Sequence, residues 1–126
     1  MKDNILHLEY KELLTQDYTR NYLEIIYNED ENKFIKVYFY NSEYGTIEIK
    51  NNKKEIHKWE TEDEAKSGSY LKRNYPIIGL NGITTDKHLE NKIIEENLKY
   101  IKKLNVKEKE MEIINKTIQY SMEYIS

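Results

Sequence analysis

Along this chain the spacing of apolar residues changes between strand-like runs in the middle and helical repeats toward the end. From Asn21 to Trp59 they sit in short runs rich in β-branched and aromatic residues, and beyond Thr84 they recur every three or four positions. The runs Tyr22 to Tyr27, Lys33 to Tyr40, Thr46 to Lys50 and Glu55 to Trp59 are separated by residues 28–32, 41–45 and 51–54, each short enough for a hairpin. This predicts a four-stranded antiparallel meander. In the second run Ile35, Val37 and Phe39 alternate with Lys36, Tyr38 and Tyr40, and in the third Ile47 and Ile49 alternate with Glu48 and Lys50. Such a sheet has one apolar face for helices and a second face of tyrosine and charge.

The flanking segments read as helices. Asp3 to Gln16 sets Ile5, Leu6, Leu8, Leu13 and Leu14 among charges and predicts an N-terminal helix capped by Asp3 or Asn4. Thr61-Glu62-Asp63-Glu64 matches a capping box and predicts a short helix to about Arg73, broken by Asn74-Tyr75-Pro76. Residues 77–85 then form an irregular connection containing Gly79 and Gly82. From Asp86 to about Leu104, the residues Leu89, Ile93, Ile94, Asn97, Leu98, Ile101 and Leu104 share one helical stripe. Lys107 to Ile125 repeats it with Met111, Ile114, Ile118, Met122 and Ile125. The short join predicts an antiparallel helical hairpin on the apolar side of the sheet. The expected architecture is one α+β domain over residues 1–126.

Composition narrows the classes of function. At 126 residues the chain has the size of one domain, and 34% of its residues are charged, with a net charge of −3. That near-balance supplies no basic field for a nucleic-acid backbone. The absence of Cys removes disulfides, thiolate metal sites and thiol nucleophiles together. No stretch has the continuous apolar length of a membrane span, and Met1 to Asp17 lacks the apolar core of a signal peptide. A cytoplasmic protein without a membrane partner is expected.

Catalytic and ligand motifs are correspondingly sparse. His7, His57 and His88 are the only histidines, and none has a second histidine at helical ligand spacing, so no metal site is expected. The acids Glu60, Glu62, Asp63 and Glu64 do not match a calcium loop and are accounted for by the dipole of a helix N-terminus. Gly82 is followed by Ile83, without the lysine of a phosphate loop, and no serine has a nucleophile-elbow context. No catalytic residue and no cofactor is therefore assigned. Ile77-Ile78-Gly79-Leu80-Asn81-Gly82 resembles the Ile-Ile-Gly-x-x-Gly loop of KH domains, which clamp single-stranded RNA, although Leu80 and Asn81 offer phosphates no cation. RNA binding through Gly79 to Gly82 is kept as an alternative function, as is a small enzyme.

The tyrosines are the remaining signal. Twelve Tyr stand against two Phe and one Trp. Tyr22, Tyr38, Tyr40 and Tyr44 fall on the expected strands and a hairpin tip, beside Glu24, Glu43 and Glu48. Aromatic anchors among carboxylates suit a protein-recognising surface, and these seven residues are the expected partner-binding set. In size, mixed charge and the passage Ile56-His57-Lys58-Trp59-Glu60-Thr61-Glu62-Asp63-Glu64-Ala65, the chain resembles the small cytosolic immunity proteins of bacterial toxin systems. That resemblance implies a non-enzymatic inhibitor that neutralises a cognate toxin by occlusion, its acidic and tyrosine residues meeting a basic toxin surface. A homodimer through the sheet edge or the last helix is the other protein partner considered.

Overall fold

The computed structural model describes residues 4–58 and 87–124. Five strands come first: β1 (Ile5–Thr15), β2 (Tyr18–Asn28), β3 (Lys33–Asn41), β4 (Gly45–Lys50) and β5 (Lys53–Lys58). Two helices follow, α1 (Lys87–Lys102) and α2 (Glu108–Glu123). The strands form one sheet in sequence order, each antiparallel to the next. The α+β class, the antiparallel sheet and the two C-terminal helices agree with the sequence. The expected helix of residues 61–73, its capping box, the break at 74–76 and the loop Gly79 to Gly82 lie outside the described residues.

Two expectations are corrected. The N-terminal segment is not a helix but the strand β1, so the sheet has five strands and not four. In β1 the side chains of Leu6, Leu8 and Tyr10 pack against the core, while Ile5, His7, Glu9 and Lys11 are exposed. That strict alternation is satisfied by pairing with β2, whose Leu23, Ile25 and Tyr27 stand opposite Tyr10, Leu8 and Leu6. A helix would have scattered the same residues around its circumference. Leu13 and Leu14, which encourage the helical reading, lie at the far end of the strand and are about half exposed.

The second correction concerns Ile35. Ile26 pairs with Lys36 but Tyr27 pairs with Phe34, so Ile35 is the extra residue of a bulge. The bulge reverses the alternation there: Phe34 joins the helix-side core, and Ile35 is turned out to 45% exposure. Phe34 then stacks on Tyr120 of α2 at 4.7 Å between ring centroids and meets Tyr27 at 4.8 Å.

Turn chemistry explains the other strand ends. Asn51 and Asn52 both have positive φ, 53° and 60°, the conformation of a type I′ hairpin turn between β4 and β5. The Asn41 side chain accepts from the amides of Glu43 and Tyr44, and so shapes the β3–β4 turn. Its amide nitrogen donates to Asn21, whose own amide donates to Glu12. A polar row thus crosses three strands in register, and Asn21 and Asn41 are each only 2% exposed.

Both helices lie on one face. Leu23, Ile25, Val37, Phe39, Ile47, Ile49 and Ile56 of the sheet pack with Leu89, Ile93, Ile94 and Ile101 of α1 and Ile113 and Ile114 of α2. Lys87 donates to the Met122 carbonyl at 3.2 Å, so the start of α1 meets the end of α2, as in an antiparallel pair. Polar anchors supplement the apolar seam. Buried Asn97 donates to the Tyr40 carbonyl at 3.0 Å, and Tyr10 donates to Glu110 at 2.6 Å. Lys54 of β5 reaches across the core face to an ion pair with Glu90 of α1 and donates to the Ser121 carbonyl of α2 at 2.6 Å. Among the described residues no helix is long and apolar enough to cross a membrane.

Candidate functional site

Among the described residues both helices lie on one side of the sheet, and the opposite side, free of them, is the candidate working surface. Its residues follow from the strand registers and form three rows across the strands. Glu9, Glu24, Tyr38, Glu48 and Glu55 stand in line from β1 to β5. Beside them run His7, Ile26, Lys36, Lys50 and Lys53. On the other flank are Lys11, Tyr22, Tyr40, Thr46 and His57. An acidic stripe is therefore bordered by a basic one, an order that no linear run of charge in the chain reveals.

The stripes are knitted together on β1, β2 and β3. Glu24 and Glu9 are direct cross-strand partners, an arrangement of like charges that is unfavourable by itself. An ammonium and an imidazole offset it. Lys36 Nζ lies 2.5 Å from Glu24 Oε1, and His7 Nε2 lies 2.8 Å from Glu24 Oε2 and 3.3 Å from Glu9 Oε1. The Tyr22 hydroxyl donates to Glu9 Oε2 at 2.7 Å. Tyr22 also meets Tyr38 edge to face at 5.9 Å, and Lys36 Nζ stands 5.7 Å from the centre of the Tyr38 ring.

These contacts set the charge states. Burial pushes the Glu24 carboxyl up, but hydrogen bonds from Lys36 and His7 and the charges of both outweigh it and hold Glu24 below the usual carboxylate range. Burial, the hydrogen bond to Glu9 and the nearby charges of Glu24 and Glu9 push the Tyr22 phenol up, so it remains a neutral donor. The patch presents carboxylates oriented by a phenol and an ammonium, which suits it to recognise cations and hydrogen-bond donors.

The expected partner-binding residues divide. Tyr22, Glu24, Tyr38, Tyr40 and Glu48 lie on the helix-free face, and Glu43 and Tyr44 lie in the β3–β4 connection. Tyr44 is half-buried against the helix-side core, and Glu43 is exposed. An outward face of open tyrosines is not what the structure has: Tyr38 is 8% and Tyr40 2% exposed, and the Tyr40 hydroxyl is spent on the Thr19 carbonyl. Tyr22, Glu24 and Glu48 are partly exposed and remain available for contact. Of the other histidines, His57 is buried on β5, and His88 lies exposed in a shallow recess with Asn91, Lys92 and Glu95.

Sequence reasoning did not place His7, Glu9 or Lys36 among the partner-binding residues, and the first two came from a segment read as helix. The signal of His7 and Glu9 is spacing of two on one strand, which has meaning only once the segment is read as β1. No family model, no curated protein and no solved structure matches this chain.

Proposed function

We propose that the chain is a non-enzymatic inhibitor of the immunity type, which docks the helix-free face of its sheet onto a cognate toxin and occludes it. The observation supporting this reading is the acidic stripe Glu9, Glu24, Glu48 and Glu55, flanked by Tyr22 and a basic row, on the sheet face opposite α1 and α2. A striped surface selects a partner by register of charge as well as by sign, and it steers encounter at low salt. The contact set of this proposal is Tyr22, Glu24 and Glu48 together with Glu43 at the neighbouring turn. Tyr38 and Tyr40 hold the rings and backbone beneath.

The test is co-expression with the toxin encoded beside this gene. Wild-type chain is expected to protect cells and to form a one-to-one complex, and Glu24→Lys with Glu48→Lys is expected to weaken that complex by 100-fold or more while the melting curve stays cooperative. Protection that persists in the double variant overturns the docking face, and failure of the wild type to protect overturns the function.

A second copy of the chain is the alternative occupant, favoured by the outer edge of β1. The Glu29 amide donates to the Asn4 carbonyl, which in this register turns the backbone groups of Asn4, Leu6, Leu8 and Tyr10 toward β2 and those of Ile5, His7, Glu9 and Lys11 outward. One of these outward groups, the Lys11 carbonyl, accepts from Tyr100 at 3.1 Å. Association of the chain alone during the same binding measurement would assign that edge to a homodimer.

A further inference from the structure

We propose that His7, Glu9 and Glu24 form a binding site for a zinc-type divalent ion, open to solvent on the helix-free face. The donor atoms of the three side chains lie within 4.8 Å of one another. Imidazole nitrogen with two carboxylate oxygens is a borderline donor set that suits zinc, and three protein ligands with one open position is a familiar arrangement for that ion. A tetrahedral ion with bonds of about 2.0–2.2 Å separates its ligand atoms by about 3.3–3.5 Å. His7 Nε2 and Glu9 Oε1 stand 3.3 Å apart, already the length of such an edge. His7 Nε2 and Glu24 Oε2, at 2.8 Å, need to open by about half an ångström, which a small rotation of the exposed His7 side chain provides.

The outer contacts distinguish this group from a chance gathering of acids. Each carboxylate has one oxygen held from behind: Tyr22 donates to Glu9 Oε2, and Lys36 binds Glu24 Oε1. The other two oxygens, Glu9 Oε1 and Glu24 Oε2, are the ones that converge on His7 Nε2. Oriented ligands of this kind are what a metal centre requires of its surroundings. The scaffold is equally defined. His7 and Glu9 share one face of β1 two residues apart, and Glu24 is the cross-strand partner of Glu9. A divalent ion at this point also relieves the repulsion of that carboxylate pair more fully than an imidazole can.

The experiment uses the full chain, freed of metal with a chelator and titrated with zinc chloride, and reads heat together with the imidazole resonances of the three histidines. A saturable one-to-one site is expected, with the His7 signals shifted and those of His57 and His88 unmoved. His7→Ala and Glu24→Gln are each expected to lower affinity by about 10-fold or more, Tyr22→Phe by about 10-fold, and His88→Ala not at all. Circular dichroism of the variants confirms that the sheet is intact. Because no toxin is present, the outcome is independent of the docking proposal. Absence of saturable binding up to about 1 mM zinc, or binding that survives His7→Ala or follows His88, overturns the site.

Discussion

Gly45 shows how much one residue can decide. Its φ of +146° lies where side chains are strained, and an added Cβ would overlap the backbone carbonyl of His57 on the neighbouring strand. Gly45→Ala is therefore expected to destabilise the fold by about 2–3 kcal/mol, measured as a lower urea midpoint with an unchanged slope. The sequence marks residues 41–45 as a turn, yet which of them must be glycine depends on where β5 passes, and that is a tertiary fact. The same holds for the site. Tyr22, Glu24 and Glu48 are legible as half-open strand residues because their neighbours alternate. Tyr38 and Tyr40 obey the same alternation and are buried, since period alone says which face a side chain takes and not what covers it.

At the scale of elements, the two C-terminal helices and strands β2 to β5 were legible because their apolar runs are long enough, or bounded sharply enough by turn residues, to be read from the chain. β1 was not. Its two apolar pairs, Ile5-Leu6 and Leu13-Leu14, imitate helical spacing, and only the pairing partner supplied by β2 selects the extended form. Lys54 is hidden in a similar way: in the chain it is one of four polar residues between strands, whereas in the fold it is 9% exposed on the helix side and paired with Glu90, itself 2% exposed. Removing Lys54 leaves Glu90 with the exposed Lys87, 3.4 Å away, as its remaining cation, so Lys54→Met is expected to cost about 2–3 kcal/mol by urea denaturation, less than a fully unpaired buried charge would. Lys54→Met with Glu90→Leu is expected to recover most of that loss, because two apolar side chains then meet in the same space. A double variant as unstable as the sum of the single changes would show that the pair does not act as a unit.

For the whole molecule, the governing fact is a sheet used on two sides. One side is closed by α1 and α2 and holds the fold together; the other presents striped charge and the His7 cluster. The charges of the two stripes come from all five strands, so a linear survey of acids and bases finds near-balance where the surface has order. The alternating direction of the β1 backbone also has a kinetic signature. Among the described residues Ile5, His7, Glu9 and Lys11 turn their N–H groups away from β2, while those of Leu6, Leu8 and Tyr10 are tied to it. In deuterium oxide the first set should lose its protons within minutes and the second should persist, every other residue along one strand. Uniform retention along β1 would mean that something in solution already sits against that rim.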